Sequence, residues 1–335
     1  MNRGFFSFIS EADAYSSSDK EWVVVLERYH RYWYDLVVNP HEVAEYFDSR
    51  QLIVDVLKKI KAGVESDLEK RFVYFICSRE RVRFDTSKRP TFNRFTGKTK
   101  IHLLVGSRRA KKAIHCKFYS VPNGCFFKPA IDLADKYITI TDESGKLLTS
   151  SIHDFLADIK SNLGLDSRVE YVGYTKNPEM RPTDGNHSGL SSTLHRLSDE
   201  SRDCLIYFNL FKVISMGGDH STPFNFAVAN AMTDEVDVER EGKILEKCFI
   251  FYFDAAGQDR NRKGELSELR KNLKSLANDK KIRRIQVHYE FEDPSDYGIF
   301  SSTAVRSNGR HVFTLLVADE EVKIIDEEGK VRTFM

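Results

Sequence analysis

Two long runs of β-branched and aromatic residues constrain the fold of this chain more than any other feature of its sequence. They are RFVYFIC at residues 71–77 and DCLIYFNLFKVIS at residues 203–215. Such runs are typical of buried strands, and VEYVGYT at residues 169–175 is a third predicted strand. The core is therefore expected to include a β-sheet.

Other segments have the apolar spacing of helices. Residues 20–35 and 41–62 are predicted helices, and the second follows an Asn-Pro pair, which is a helix-start signal. Residues 151–165 are predicted to form a helix that Gly164 ends. Further helices are predicted over residues 189–200, 238–253 and 264–279. The chain is thus expected to be a mixed α and β protein.

The order of these elements divides the 335 residues into three segments. Residues 1–130 are expected to form a helical lead-in followed by a basic β-rich domain, because short strands alternate with Lys, Asn and Gly over residues 79–128. Residues 131–256 form a second module. Residues 257–335 form an α/β C-terminal extension that ends in a predicted pair of hairpin strands.

The distribution of charge is more informative than the net charge, which is only +1. From Arg79 to Lys117 the chain has thirteen basic residues and two acidic ones, interleaved with phenylalanines. Such a patch suits a polyphosphate backbone, although a solvated basic β-rich surface is an equally open interpretation. The residues predicted to contact nucleic acid are Arg89, Arg94, Lys98, Arg108, Arg109, Lys111 and Lys112.

Several classes of protein are not expected from this sequence. It has no apolar run near the roughly 18 to 20 residues that span a bilayer, and serine and acidic residues interrupt its start too early for a signal peptide. We therefore expect a cytoplasmic protein with no membrane partner. The sequence also lacks a Walker loop and the GxGxxG and GxSxG motifs, so nucleotide and hydrolase-elbow sites are not predicted.

The second segment contains a set of residue types in a fixed order. They are Tyr171, Val172, Gly173, Thr175, Asn177, Pro178, Arg181 and His187, followed by a predicted helix, a strand and a second helix with Glu246 to Ile250. This order resembles the GIY-YIG endonuclease family over about 120 residues. The resemblance implies an α+β fold class, with a GIY-YIG-like module in which a small, mainly antiparallel sheet is flanked by helices. The helical and β-rich basic domain would precede this module.

The resemblance also implies catalytic roles. Tyr171 would position or deprotonate the attacking water, and Tyr137 is the candidate for the first tyrosine of the family motif. Arg181 would clamp a phosphate oxygen through two hydrogen bonds. His187 would orient the phosphate or share the proton transfer.

The metal ligand in this interpretation is Glu246. One carboxylate, with water and substrate oxygens, suits a single Mg²⁺ or Mn²⁺, and Glu241 on the same predicted helix is the alternative ligand. The predicted function is a metal-dependent endonuclease that cleaves DNA, or alternatively RNA, in phage defence or restriction. Because a GIY triplet is missing, a catalytically inactive nucleic-acid-binding protein stays open. A protein-interaction component of a multi-gene defence system, or a homo-oligomer, also stays open.

Overall fold

The computed structural model describes residues 2–38, 49–120, 123–180, 197, 201–218, 225–292, 295–318 and 321–334. The strands in chain order are β1 (Lys20–Trp33), β2 (Phe72–Glu80), β3 (Val82–Phe84), β4 (Thr91–Asn93), β5 (Lys98–Val105), β6 (Ala110–Cys116), β7 (Phe118–Ser120), β8 (Cys125–Phe127), β9 (Ala130–Leu133), β10 (Tyr137–Thr141), β11 (Leu147–Ser151), β12 (Ser167–Thr175), β13 (Arg202–Gly218), β14 (Asn225–Ala229), β15 (Ile282–Glu290), β16 (Phe300–Ser301), β17 (Arg310–Ala318), β18 (Glu321–Asp326) and β19 (Val331–Phe334).

Helices of very different length connect these strands. They are α1 (Phe8–Glu11), α2 (Asp13–Ser16), α3 (Asp35–Val38), α4 (Ser49–Asp67), α5 (Ile152–Asp158), α6 (Asn230–Thr233), α7 (Val238–Phe253) and α8 (Arg262–Asp279). Two 3₁₀ turns cover Ala256–Asn261 and Asp296–Gly298.

A central sheet of ten strands dominates the described part of the chain. Its order is β16-β12-β2-β13-β1-β15-β17-β18-β19, and β14 pairs with β13. β1 is parallel to β15 and β12 is parallel to β16, so the sheet is mixed. The predicted module with a small, mainly antiparallel sheet flanked by helices is therefore wrong. The sheet takes strands from each of the three predicted segments.

The length of β13 explains why no small sheet forms. This strand has 17 residues, and β1 covers one of its edges over almost the whole length. On the other edge β2 pairs with Arg202 to Asn209, and β14 pairs with Ile214 to Gly218. Because a strand this long needs partners along both edges, it combines parts of the chain that are distant in sequence.

The prediction of a helix over residues 20–35 is also wrong, because Lys20–Trp33 is β1. Trp22 and Val24 are buried, and the first six residues alternate between more and less buried positions. Three consecutive valines and several aromatic residues favour a strand. Pairing with β13 on one edge and β15 on the other satisfies the backbone, and this tertiary pairing overrides the apolar spacing that resembled a helix.

Most other long elements match the predictions. The two buried runs are β2 and β13, and the helices predicted over residues 238–253 and 264–279 are α7 and α8. The helix predicted over 151–165 is confirmed only as the short α5. The helix predicted over 41–62 corresponds to α4 from Ser49 onward, and the one predicted over 189–200 falls largely outside the described residues.

The two faces of the central sheet are covered by different helices. On one face the ring of Phe75 packs against Phe249 and Phe253 of α7, at centroid distances of 5.1 and 5.6 Å. On the other face Tyr74 joins a separate apolar cluster that contains Leu57 of α4. Adjacent residues of β2 therefore serve opposite faces, as the alternation of a strand requires.

Over residues 79–128, where short strands are predicted, β7 and β8 form a two-stranded sheet of their own and β3 to β6 form a small antiparallel sheet. β3 and β4 pair with the two halves of one edge of β5, and β6 pairs with the other edge. Ile101, Leu103 and Ile114 form its buried inner face, which also includes Phe84. Phe84 packs against Phe155 of α5 at 6.0 Å, so this sheet is attached to the main core through its inner face.

Candidate functional site

The predicted nuclease centre contains two residues that lie on opposite faces of the central sheet. Tyr171 packs with Tyr74 on the face that α4 covers. Glu246 belongs to α7, which packs on the opposite face. The two side chains therefore cannot act on the same phosphodiester bond in this structure.

The other predicted catalytic residues do not complete the centre. Tyr137 lies in β10, which belongs to a separate sheet, and lines a cavity of about 260 Å³ beside α4. Arg181 and His187 lie outside the described residues. The structure describes three residues of the predicted centre, Tyr137, Tyr171 and Glu246, and it does not bring them together around a common point.

The surroundings of Glu246 do not resemble a metal site. The ammonium group of Lys247 lies 3.7 Å from its carboxylate and 3.1 Å from the carboxylates of both Glu265 and Glu268, where it occupies the position that a cation would take. Burial raises the pKa of Glu246 to about 7. Within the described ranges, no group of three or more His, Cys, Asp or Glu side chains is placed to hold a metal ion. These residues do not fit Mg²⁺ or Mn²⁺.

The alternative ligand, Glu241, is bound within the fold. Its carboxylate pairs with the guanidinium of Arg3 at 2.9 Å, and Asn230 also donates to it. Its side chain is buried. Glu241 therefore connects the N-terminal segment to α7 and is not available to a ligand.

The small sheet has a basic surface on the side away from the core. Strand alternation places Lys98, Lys100 and His102 of β5 on this side, and the pairing register adds Lys111 and His115 of β6. We call these five residues the outer face. Among the described residues, no acidic side chain forms an ion pair with its three lysines, although the charge of Asp85 acts on Lys111 and His102. Burial lowers the pKa of His102, and the charges of Lys100 and Lys88 lower it further.

The seven basic residues predicted to bind nucleic acid are all exposed, but they do not share one surface. Lys98 and Lys111 belong to the outer face. Lys112 lies on the inner side, where its ammonium donates to the carbonyl of Leu163. The other four lie in the loops of this sheet: Arg89 before β4, Arg94 between β4 and β5, and Arg108 and Arg109 between β5 and β6.

A cavity of about 580 Å³ opens where the outer face meets the central sheet. Three arginines line it, and Leu104 of β5 connects it to the outer face. The complete lining is Arg81, Arg83, Leu104, Gly106, Ser107, Arg109, Asp135 and Ser201. We call it the arginine cavity. Its guanidinium and hydroxyl groups are donors that suit a phosphate group.

A buried ion pair fixes one wall of the arginine cavity. Nη1 of Arg83 lies 2.8 Å from one carboxylate oxygen of Asp203 and 2.9 Å from the other. Although burial alone would raise the pKa of Asp203, its neighbours His153 and Arg83 hold that pKa below its usual value. Asp203 is therefore ionised, and the position of Arg83 is determined by the fold.

Two further guanidinium groups enclose the ring of Tyr297 beside this ion pair. Arg31 lies 4.1 Å and Arg79 lies 4.3 Å from the ring centroid. Arg79 also donates to the carbonyl of Asp296 at 2.8 Å. These contacts connect β1, β2 and the C-terminal segment by cation–π interactions and charge.

The sequence prediction missed part of this basic surface. Lys100, His102 and His115 were not selected, although KTKIH places a basic residue at every second position of β5 and KKAIH has basic residues at the first and last of its alternate positions. That period was the available signal, because alternate residues share one face. The arginine cavity had no local signal, since Arg81 and Ser201 are 120 positions apart.

Comparison with protein-family models, with curated proteins and with solved structures finds no match to this chain. Within the residues that the structure describes, no helix has both the length and the apolar character needed to cross a membrane.

Proposed function

We propose that this protein binds nucleic acid through the outer face and the arginine cavity, and that it does so without cutting the ligand. The observation that carries the proposal is the row of Lys98, Lys100 and Lys111 on one side of a small sheet, with no ion pair to any described acid. A linear polyanion matches such a row because each lysine near a phosphate releases a counterion.

The arginine cavity extends this surface. Arg109 lies in the turn that joins β5 to β6, and Leu104 is shared between the cavity wall and the outer side of β5. Nη1 of Arg83 already donates to both carboxylate oxygens of Asp203, so Arg83 shapes the cavity wall and Arg109 is the better candidate for a phosphate ligand. A planar guanidinium is better suited than an ammonium group to bind a phosphate through two hydrogen bonds.

Binding without cleavage agrees better with the position of Tyr171 and Glu246 than a nuclease does. A hydrolytic centre needs its base, its phosphate ligand and its metal ligand around one scissile bond. Here these two side chains face opposite sides of the central sheet, and the ammonium group of Lys247 lies beside Glu246 where a metal ion would have to bind. The GIY-YIG resemblance stays a prediction from sequence.

The experiment measures the affinity for short oligonucleotides over a series of salt concentrations. A triple variant, K98Q/K100Q/K111Q, is expected to bind more weakly and to reduce the slope of log K against log salt by roughly 2 to 3. The control triple, K59Q/K263Q/K271Q, removes the same charge from exposed positions of α4 and α8 and should keep the parent slope. Equal slopes for the two triples would contradict the proposal.

A second arm tests cleavage with the same oligonucleotides in Mg²⁺ or Mn²⁺. The parent protein is expected to leave them intact under conditions in which it binds them. Cleavage that the E246Q variant abolishes would overturn the non-catalytic part of the proposal and would support the nuclease prediction instead.

A further inference from the structure

Two exposed aromatic rings lie beside the basic surface. Tyr119 of β7 is 53% exposed and Phe126 of β8 is 58% exposed. The two residues pair directly across the β7–β8 hairpin, with ring centroids 5.2 Å apart in an edge-to-face arrangement. Neither ring belongs to a buried apolar cluster, so the folded core does not account for them.

The rings continue the outer face. From Ala113 to Tyr119 the burial alternates: Ile114, Cys116 and Phe118 are the more buried residues, and His115, Lys117 and Tyr119 are exposed. Phe118 stacks on Phe155 of α5, on the inner side of the sheet. Tyr119 therefore lies on the same side as the outer face.

Lys117 connects the rings to the basic row. Its ammonium lies 5.1 Å from the centroid of the Phe126 ring. The fully exposed Phe95 occupies the β4–β5 turn, and the register of Thr99 with Cys116 places that turn at the same end of the sheet. We call Tyr119, Phe126 and Phe95 the aromatic end. The arginine cavity lies at the opposite end of β5.

We propose that the aromatic end stacks unpaired bases, so that the ligand is a single-stranded nucleic acid; this inference rests on the proposed function. In a duplex the faces of the bases are hidden in the stack, and only an unpaired base can offer its face to a protein ring. The lysines of the outer face would then follow the phosphates of the same strand.

The length of the surface agrees with this ligand. The eight residues of β5 span about 26 Å at roughly 3.3 Å per residue. That distance accommodates an extended strand of about four nucleotides, near the lower limit for known single-strand binding sites. The charge around the rings favours a polyanion over an apolar protein partner, because Lys117, His115 and Lys98 flank them.

Affinities for a short oligothymidylate, a short oligouridylate and a DNA duplex of the same length test the proposal. The variant Y119A/F126A is expected to bind the single strands at least roughly 10-fold more weakly and to leave duplex binding unchanged. The control variant L147A/L148A removes two exposed apolar side chains from β11 and should keep the parent affinities. The oligothymidylate and oligouridylate arms separate DNA from RNA.

A fluorescent reporter adds a readout that does not depend on affinity. Both natural tryptophans, Trp22 and Trp33, are buried, so a Y119W variant adds an exposed indole to a protected background. Stacking of a base on this indole is expected to quench its emission when a single strand is added at saturation. The duplex should leave the emission unchanged.

The outcomes separate the two proposals. If no nucleic acid binds, the proposed function fails and the aromatic end has no assigned ligand. If Y119A/F126A weakens duplex and single strands equally, or weakens neither, the single-strand inference is overturned while the basic surface keeps its role. Quenching of Y119W by the duplex would also overturn it.

Discussion

Nε2 of His153 lies 3.0 Å from Oδ2 of Asp203, in a part of the core that is closed to solvent. Nδ1 of the same ring lies 2.9 Å from the hydroxyl of Tyr297. Burial lowers the pKa of His153, so we assign a neutral ring that donates from Nε2 to the carboxylate and accepts the tyrosine proton at Nδ1. Asp203 is then balanced by Arg83, and this chain of contacts connects the arginine cavity to the C-terminal segment.

Asp203 is expected to be one of the most costly residues to neutralise. In a D203N variant the charge of Arg83 is left without its buried partner, and breaking such a pair costs roughly 3–5 kcal/mol of unfolding free energy. Denaturant unfolding followed by circular dichroism measures this loss of unfolding free energy.

Asp135 gives a matched control, because it contacts the same arginine at 3.4 Å but is about half exposed. D135N should cost less than about 1 kcal/mol, and equal losses would contradict the assignment.

Gly173 gives a second prediction about stability. A Cβ atom at this position would lie 2.5 Å from the ring of Tyr74, which packs directly on the glycine across the β12–β2 pair. G173A is expected to destabilise the protein by roughly 1–3 kcal/mol, because the ring must move. In contrast, G63A in α4 meets no atom within 4 Å and should stabilise the helix by about 0.5–1 kcal/mol. Thermal melts of the two variants should therefore shift in opposite directions.

Gly173 also shows which contacts cannot be predicted from local sequence patterns. In the YVG triplet it resembled a nuclease motif, but its neighbour Tyr74 lies about a hundred positions earlier, and no local pattern connects the two. Elements with a strong local signal, such as α7 and β13, were predicted correctly. β1 was not, because its apolar spacing fitted a helix until two neighbouring strands were known.

The candidate site shows the same limit. The density of basic residues between Arg79 and Lys117 predicts a nucleic-acid-binding region, and the surface that we propose lies within the same region. The division of that region into an outer face, an inner face and loops depends on the register of β5 with β6, and a shift by one residue would reverse the roles of Lys111 and Lys112. Which lysines belong to the outer face therefore depends on how β5 pairs with β6, and the amino-acid composition does not determine that register.

Glu246 is expected to make stability depend on pH. Its folded pKa of about 7 lies above its usual value of 4.5, so its protonation stabilises the fold below pH 4.5, and this contribution is lost as the pH rises through 7. The loss amounts to about 3 kcal/mol at most. E246Q is therefore expected to unfold at higher denaturant concentration than the parent at pH 8, with little difference at pH 4.5.

Glu268 gives the matched control for this experiment. It contacts the same lysine, Lys247, at 3.1 Å, but its side chain is 45% exposed. E268Q should change the unfolding free energy by less than about 1 kcal/mol at either pH. A loss of stability in E246Q at pH 8 would mean that the ion pair with Lys247 outweighs the cost of burying the charge.

His102 is expected to make nucleic-acid binding depend on pH. In the free protein burial, Lys100 and Lys88 lower its pKa and outweigh the opposing charge of Asp85, so the neutral ring predominates at pH 7. A bound phosphate would neutralise these lysines and raise that pKa, so binding would take up a proton. Affinity should therefore increase as the pH falls from 7.5 to 6, by up to about tenfold per pH unit. Fluorescence anisotropy of a labelled oligonucleotide, at fixed salt, measures this change of affinity with pH.

An H102N variant should lose most of this pH dependence while it keeps the salt dependence set by Lys98 and Lys111. If H102N followed the pH curve of the parent, the ligand would not reach the middle of the outer face.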